Sequence, residues 1–325
     1  MNNRYRWLLL LIFLLFIQIS ANFKQHHVVN DIKNFAMEGL FQVIETDLND
    51  DRVKEMVIVG KNYVGRELLF YWLTVNEQNQ PVMLWKSPNL FEERSILWVA
   101  VGNFNGYQKQ LLAATNTQLY FYNYEDGSLK LAKQSVHNLE PLNIVAGDVD
   151  GDSQDELIVN RIGKITDKYY ICYVQVWKYR NDQWILMAQS ELLGNIRAIA
   201  AGDIDQDGKA EIFVEEGLML SSGNIHLLKL INNQLPVVAQ VNKSLNGAAY
   251  ALKVKQIGDQ VKLVTGTTKG FVNFFSWDGK HLQKELEELS FKTNLVDLEI
   301  TDINNNQKSE LILLGHPNRL LFLEN

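Results

Sequence analysis

Four short stretches of this 325-residue chain place oxygen-bearing side chains at positions 1, 3, 5 and 9 of a loop. They are Asp148, Asp150, Asp152 and Glu156 in "GDVDGDSQDELIV", and Asp203, Asp205, Asp207 and Glu211 in "GDIDQDGKAEIFV". Asp47, Asn49, Asp51 and Glu55 form a third set, and Asp302, Asn304, Asn306 and Glu310 a fourth. Carboxylates packed this closely repel one another unless a cation lies among them. Hard oxygen ligands at alternate positions suit Ca²⁺, which takes about 6–8 oxygens in flexible geometry. An EF-hand opens in the same way but closes with a glutamate at about position 12, between helices. Here the closing acid comes at position 9 and strand-like runs flank the loop. The sets with four carboxylates are expected to bind calcium best, and the Asp302 set weakly or not at all. Val53, Gln154 and Lys209, at position 7, are expected to add backbone carbonyls. A fifth copy, with Asn103, Asn105 and Tyr107, has no carboxylate at these positions, is one residue short and is expected to be empty.

The loops recur in register with a longer repeat. An apolar strand leads into each loop and a second follows it. A third strand is rich in aromatics, as in "ELLFYWLTV" and "YICYVQVWKY", and after a turn a fourth follows, such as "QWILMAQS". β-Branched and aromatic enrichment with period-two alternation marks these as strands. The unit is roughly 45 to 55 residues. The gap before the Asp302 loop is close to two units, and "ALKVKQIGDQVKLVTGTT" fills it as a unit without a loop. Six units of four strands predict a six-bladed β-propeller, with seven blades as the alternative count. The last unit stops after its third strand. "HHVVNDI" (His26 to Ile32) is a spare strand before the first unit and is expected to close the ring. Residues 22–325 then form one domain. "HLQKELEEL" reads as a charged outer strand or its loop rather than a helix.

With that register in place, the loops resemble the FG-GAP/VCBS repeats of extracellular propellers, related to the calcium-binding blades of integrin α-subunits. The residues that carry the resemblance are "GDVDGDSQDELIV" and "GDIDQDGKAEIFV". The resemblance implies a propeller, loop-bound calcium and an extracellular setting, and it implies no single activity.

Export is expected from the N-terminus. Arg4 and Arg6 precede an apolar run from Trp7 to Ile19, which suits a signal segment ending at Ala21. An uncleaved membrane anchor is the alternative, and it would be the chain's contact with a membrane. Cys172 is the one cysteine, so no intrachain disulfide forms and calcium is the expected staple. The net charge of −7, without a basic stripe, argues against nucleic acid. None of the six histidines has zinc-site spacing, and no nucleophile elbow or P-loop occurs. The tryptophans Trp72, Trp85, Trp98, Trp177, Trp184 and Trp277 read as packing between blades rather than sugar platforms. Asp50 and Asp155 read as exposed loop charge. No set of cations and carboxylates at the propeller axis is assembled from the sequence. The expectation is an exported, calcium-binding module for a protein or glycan at the cell surface or envelope. A polysaccharide lyase or hydrolase and a membrane-anchored scaffold are the alternatives.

Overall fold

In the computed structural model the chain is described over residues 24–29, 39–62, 65–76, 80–91, 97–136, 139–167, 169–218, 221–243, 245–316 and 319–324. The expected export segment, residues 1–21, lies outside them. Among the described residues the regular elements are twenty-four strands, arranged as six four-stranded antiparallel sheets. β1 (Lys24–Val29) opens the chain. Blade 1 is β2 (Gly39–Thr46), β3 (Glu55–Asn62), β4 (Glu67–Val75) and β5 (Pro81–Lys86). Blade 2 is β6 (Trp98–Gly102), β7 (Gln110–Ala114), β8 (Gln118–Glu125) and β9 (Ser128–Val136). Blade 3 is β10 (Pro141–Gly147), β11 (Glu156–Ile165), β12 (Tyr170–Arg180) and β13 (Gln183–Gln189). Blade 4 is β14 (Ile196–Gly202), β15 (Glu211–Glu216), β16 (Asn224–Leu228) and β17 (Val237–Val241). Blade 5 is β18 (Ala249–Ile257), β19 (Gln260–Thr267), β20 (Phe271–Trp277) and β21 (Leu282–Ser290). Blade 6 is β22 (Asn294–Thr301), β23 (Glu310–His316) and β24 (Arg319–Glu324), completed by β1.

The inner strands β2, β6, β10, β14, β18 and β22 touch in sequence around a closed ring. This is a six-bladed β-propeller. β1 pairs antiparallel with β24, from Lys24 opposite Glu324 to Val29 opposite Leu320. The N-terminal strand therefore closes the ring, as the spare strand-like segment implied, although residues 30–32 of that segment lie outside the described part. The fifth unit has lost its loop. Ile257 pairs with Gln260 across a two-residue turn, where Gly258 takes a φ of 59° that favours glycine. The charged "LQKELEELS" is β21, a strand.

Burial explains the order of strands within a blade. The second strands are packed on both faces by neighbouring blades, so β3, β7, β15 and β23 are almost wholly buried apolar runs. Aromatics of the third and fourth strands fill the wedges between blades, where the spacing widens from the axis. Trp72 and Trp85 of blade 1 pack with Tyr122 of blade 2. Trp184 of blade 3 lies 5.8 Å from Phe121 of blade 2, nearly stacked on it. Near the axis the spacing is tight. In blades 3 and 4 the last residue of the inner strand must be small: a Cβ on Gly147 would come within 2.9 Å of Ala201, and one on Gly202 within 2.6 Å of Val254. This is the structural reason for glycine before each "D-x-D" run. Cys172 is fully buried in β12, and burial raises its thiol pKa, as befits an inert packing residue.

Candidate functional site

All the repeated loops join an inner strand to a second strand, so they crown one face of the propeller. The four acidic loops share one backbone geometry. The position-1 aspartate accepts hydrogen bonds from the backbone N–H groups of positions 5 and 6. In blade 3, Asp152 N and Ser153 N donate to Asp148 at 3.1 and 2.7 Å. In blade 4, Asp207 N and Gly208 N donate to Asp203 at 3.0 and 2.9 Å. Asp47 in blade 1 and Asp302 in blade 6 do the same. Position 6 has positive φ in all four, at Arg52, Ser153, Gly208 and Gln307, although only one of them is glycine. The position-9 glutamate accepts from the N–H of position 2: Leu48 to Glu55, Val149 to Glu156, Ile204 to Glu211 and Ile303 to Glu310, at 2.9 to 3.2 Å. Two of the repeated acids thus fold the loop before any ion is considered. Adjacent loops are also chained, since Ala210 N donates to Asp148 O at 2.7 Å.

The loops differ in what faces their acids. The hairpin registers place Lys178 opposite Glu156, Lys229 opposite Glu211 and Thr74 opposite Glu55, one step beyond the pairs Leu157–Trp177, Ile212–Leu228 and Met56–Leu73. The Lys178 ammonium lies 2.7 Å from Asp150, 2.8 Å from Asp152 and 2.6 Å from Glu156, with its side chain only 2% exposed. Lys229 lies 2.5 Å from Asp205, 2.8 Å from Glu211 and 3.7 Å from Asp207. In both loops a lysine nitrogen occupies the centre of positions 3, 5 and 9. Burial pushes Glu156 up to about 7 and raises Glu211, against the pull of the facing lysine. Both lysines are held above their ordinary range by these carboxylates, which outweigh the opposing effect of burial.

Blade 1 has no such lysine. Ligand atoms of Asp47, Asp51 and Glu55 lie within 4.8 Å of one another, as do those of Asp148, Asp150 and Glu156 and of Asp203, Asp205 and Glu211. Among the described residues no lysine or arginine forms an ion pair with Asp47, Asp51 or Glu55. Burial, opposed by the Leu48 N–H and reinforced by Asp51 and Asp47, pushes Glu55 up to about 7. Asn49 hydrogen-bonds to Asp51 at 2.9 Å. The degenerate blade 2 loop runs over seven residues between β6 and β7, against eight in blade 3, and Gln110 at its closing position bonds to Asn123 instead of an ion. Asp155 corrects the sequence reading. It is not free loop charge: it accepts from Asn103 N at 2.6 Å, and its own N–H donates to Asn103 O at 3.0 Å, tying the loops of blades 2 and 3 together.

The axis holds a second charged assembly. A cavity of about 360 Å³ is lined by the inner strands of all six blades. On one wall Val43 N donates to Asp297 at 2.8 Å and Glu45 N to Glu299 at 3.1 Å. Lys253 donates to Val43 O at 2.8 Å, and Lys255 bridges Glu45 at 2.7 Å and Glu299 at 2.5 Å. These groups satisfy the channel-facing edge of β2 and join blades 5 and 6 to blade 1, across the ring's closure. Burial works against ionisation of Glu45, but Lys255 and Lys54 hold its carboxyl down at about 2. Burial prevails at Asp297, which rises to about 6 against Lys253. Sequence reasoning missed both this assembly and the loop lysines. The signals were "KVK" at 253–255 and "DLE" at 297–299, where period two puts both charges on one face. For the loops, the signal was a lysine one step past the hairpin register of each four-carboxylate set.

No family model matches the sequence. The fold is similar to that of a solved structure described as BBS1N in complex with ARL6DN, soaked with mercury. The TM-score is 0.52 at 12% identity, over 88% of this chain and 92% of that one. At such identity the likeness shows the fold alone.

Proposed function

We propose that this chain is an exported propeller that binds another protein through the outer edges of its blades, with calcium held in the blade 1 loop. The observation that supports protein binding is the composition of the outer strands. Val82, Met83 and Leu84 of β5 are 41–49% exposed, Ile185 and Leu186 of β13 43–49%, and Val237 and Val238 of β17 40–41%. These strands also present one unpaired backbone edge each. Exposed apolar edges on a closed ring suit strand addition or apolar docking by a partner. The similar solved propeller, itself in a complex, supports the same class of role. Residues 1–21 supply the export signal in this reading, and the resemblance to FG-GAP/VCBS repeats supports the extracellular setting.

For calcium, the donor set of blade 1 fits: Asp47, Asp51 and Glu55 supply carboxylates, Asn49 an amide and Val53 a carbonyl. The ion would supply charge balance and hold the loop, with no chemical step assigned to it. The test is capture of envelope proteins by the wild-type chain and by a triple variant, Met83→Lys, Ile185→Lys and Val237→Lys, beside a glycan array, all in millimolar calcium. Protein capture lost in the variant supports the reading. Capture that survives the variant, or a glycan signal in its place, overturns the edge-binding reading.

The axial ion assembly favours one alternative, polysaccharide cleavage in the channel. Unsaturated uronate or new reducing ends from a polysaccharide panel, abolished by Glu299→Gln, would establish it.

A further inference from the structure

We propose that Lys178 and Lys229 are tethered cations that take the place of a metal ion in blades 3 and 4. The two loops whose sequences look best suited to calcium would then be the two that do not use it. An ammonium has three N–H donors, and Lys178 meets three carboxylates at 2.6–2.8 Å, one for each donor. The same residue type reaches the same three loop positions in blade 4. Across blades 1 to 4 the pattern is compensating. Where positions 3, 5 and 9 are all acidic, lysine stands opposite position 9. Where position 3 is an amide, as at Asn49, the opposite residue is Thr74. Where no loop acid remains, Gln110 and Asn123 bond as a neutral pair. Lysine carries one positive charge and no vacant coordination positions, so a divalent ion and the ammonium compete for one space among like acceptors.

Tethering has a functional consequence. A bound ion leaves as its concentration falls, whereas a side-chain cation is present at any calcium level. Blades 3 and 4 therefore keep their loops closed in chelator, while the blade 1 loop, in the reading above, responds to calcium. Asp150 Oδ1 and Asp205 Oδ1 are buried without a hydrogen-bond donor among the described residues. They are the oxygens left for a metal if the lysine is removed.

The test is equilibrium dialysis of radioactive calcium against the full-length wild-type chain and its variants, read as ions bound per chain. The expected result is that Asp152→Asn and Asp207→Asn leave the wild-type count unchanged, while Lys178→Thr and Lys229→Thr each add one ion. Folding only in the presence of calcium, for either lysine variant, also supports the proposal. Loss of an ion in Asp152→Asn or Asp207→Asn overturns it, because wild-type loops would then hold calcium. So does a wild-type count in lysine variants whose circular dichroism is native. If a lysine variant folds under neither condition, the aspartate arms decide. The blade 1 reading fails separately, through an unchanged count in Glu55→Gln, and the differences for blades 3 and 4 remain readable.

Discussion

The loops of blades 1 and 3 have one backbone and two charge balances. In both, the first aspartate binds the N–H groups of positions 5 and 6, and the closing glutamate binds the N–H of position 2. In blade 3 Asp150, Asp152 and the second oxygen of Glu156 surround Lys178. In blade 1 the residue in the corresponding register is Thr74, and among the described residues no lysine or arginine forms an ion pair with Asp47, Asp51 or Glu55, although burial raises Glu55 to about 7 just as it raises Glu156. The difference separates two parts of a repeated acidic motif. Positions 1 and 9 hold the turn through backbone N–H groups, and in the proposal above the partner across the hairpin decides which cation neutralises the rest.

The comparison breaks most visibly if the resident cation is removed. Lys178→Thr in chelator leaves the buried Glu156, with the more exposed Asp150 and Asp152, uncompensated and should lose about 3–5 kcal/mol of stability in denaturant unfolding. Millimolar calcium should restore much of it.

A smaller effect extends the contrast to the axial assembly, where lysines again neutralise acids. The folded Glu45 carboxyl, at about 2, lies below its ordinary 4.5. Lys255 and Lys54 face it, and Glu299 shares Lys255. A depressed acid contributes stability that is present above pH 4.5 and is lost as pH falls towards 2. Glu45→Gln should therefore be less stable than wild type at neutral pH, and the gap should narrow between pH 4.5 and 2 in urea unfolding.

Asp51→Asn sharpens the blade 1 side. Calcium at about 2 mM should stabilise the wild type by about 1 kcal/mol, given an extracellular-type Kd of about 10⁻⁴–10⁻³ M. The variant should lose that increment. Smallest of all, Met83→Lys on the exposed outer strand should change stability by no more than about 0.5 kcal/mol while weakening protein capture.

The fold was legible because its signal is repeated. Four-strand units, a chain ending after its third strand and a spare N-terminal strand together implied closure by β1 against β24. The missing loop of the fifth blade was legible from spacing alone. The positions of the loop acids were equally plain, since "D-x-D-x-D-x-x-x-E" is local. Their neutralisation was not, because Lys178 is 22 residues from Glu156 and meets it only through hairpin register. Asp155 was misread for a related reason: its partner, Asn103, belongs to another blade. Glu45 and Glu299 are further apart still, and only the ring's closure brings them together. Long-range pairing in a propeller is set by circular geometry, which no single window of sequence carries.

The central claim is that the residue opposite position 9 decides whether a loop needs calcium. Its most direct test is the reciprocal exchange Thr74→Lys and Lys178→Thr, with thermal midpoints recorded in 2 mM calcium and in chelator. The account predicts that a calcium-induced rise in the wild-type midpoint will disappear in Thr74→Lys and grow in Lys178→Thr. An identical rise in all three proteins would contradict it.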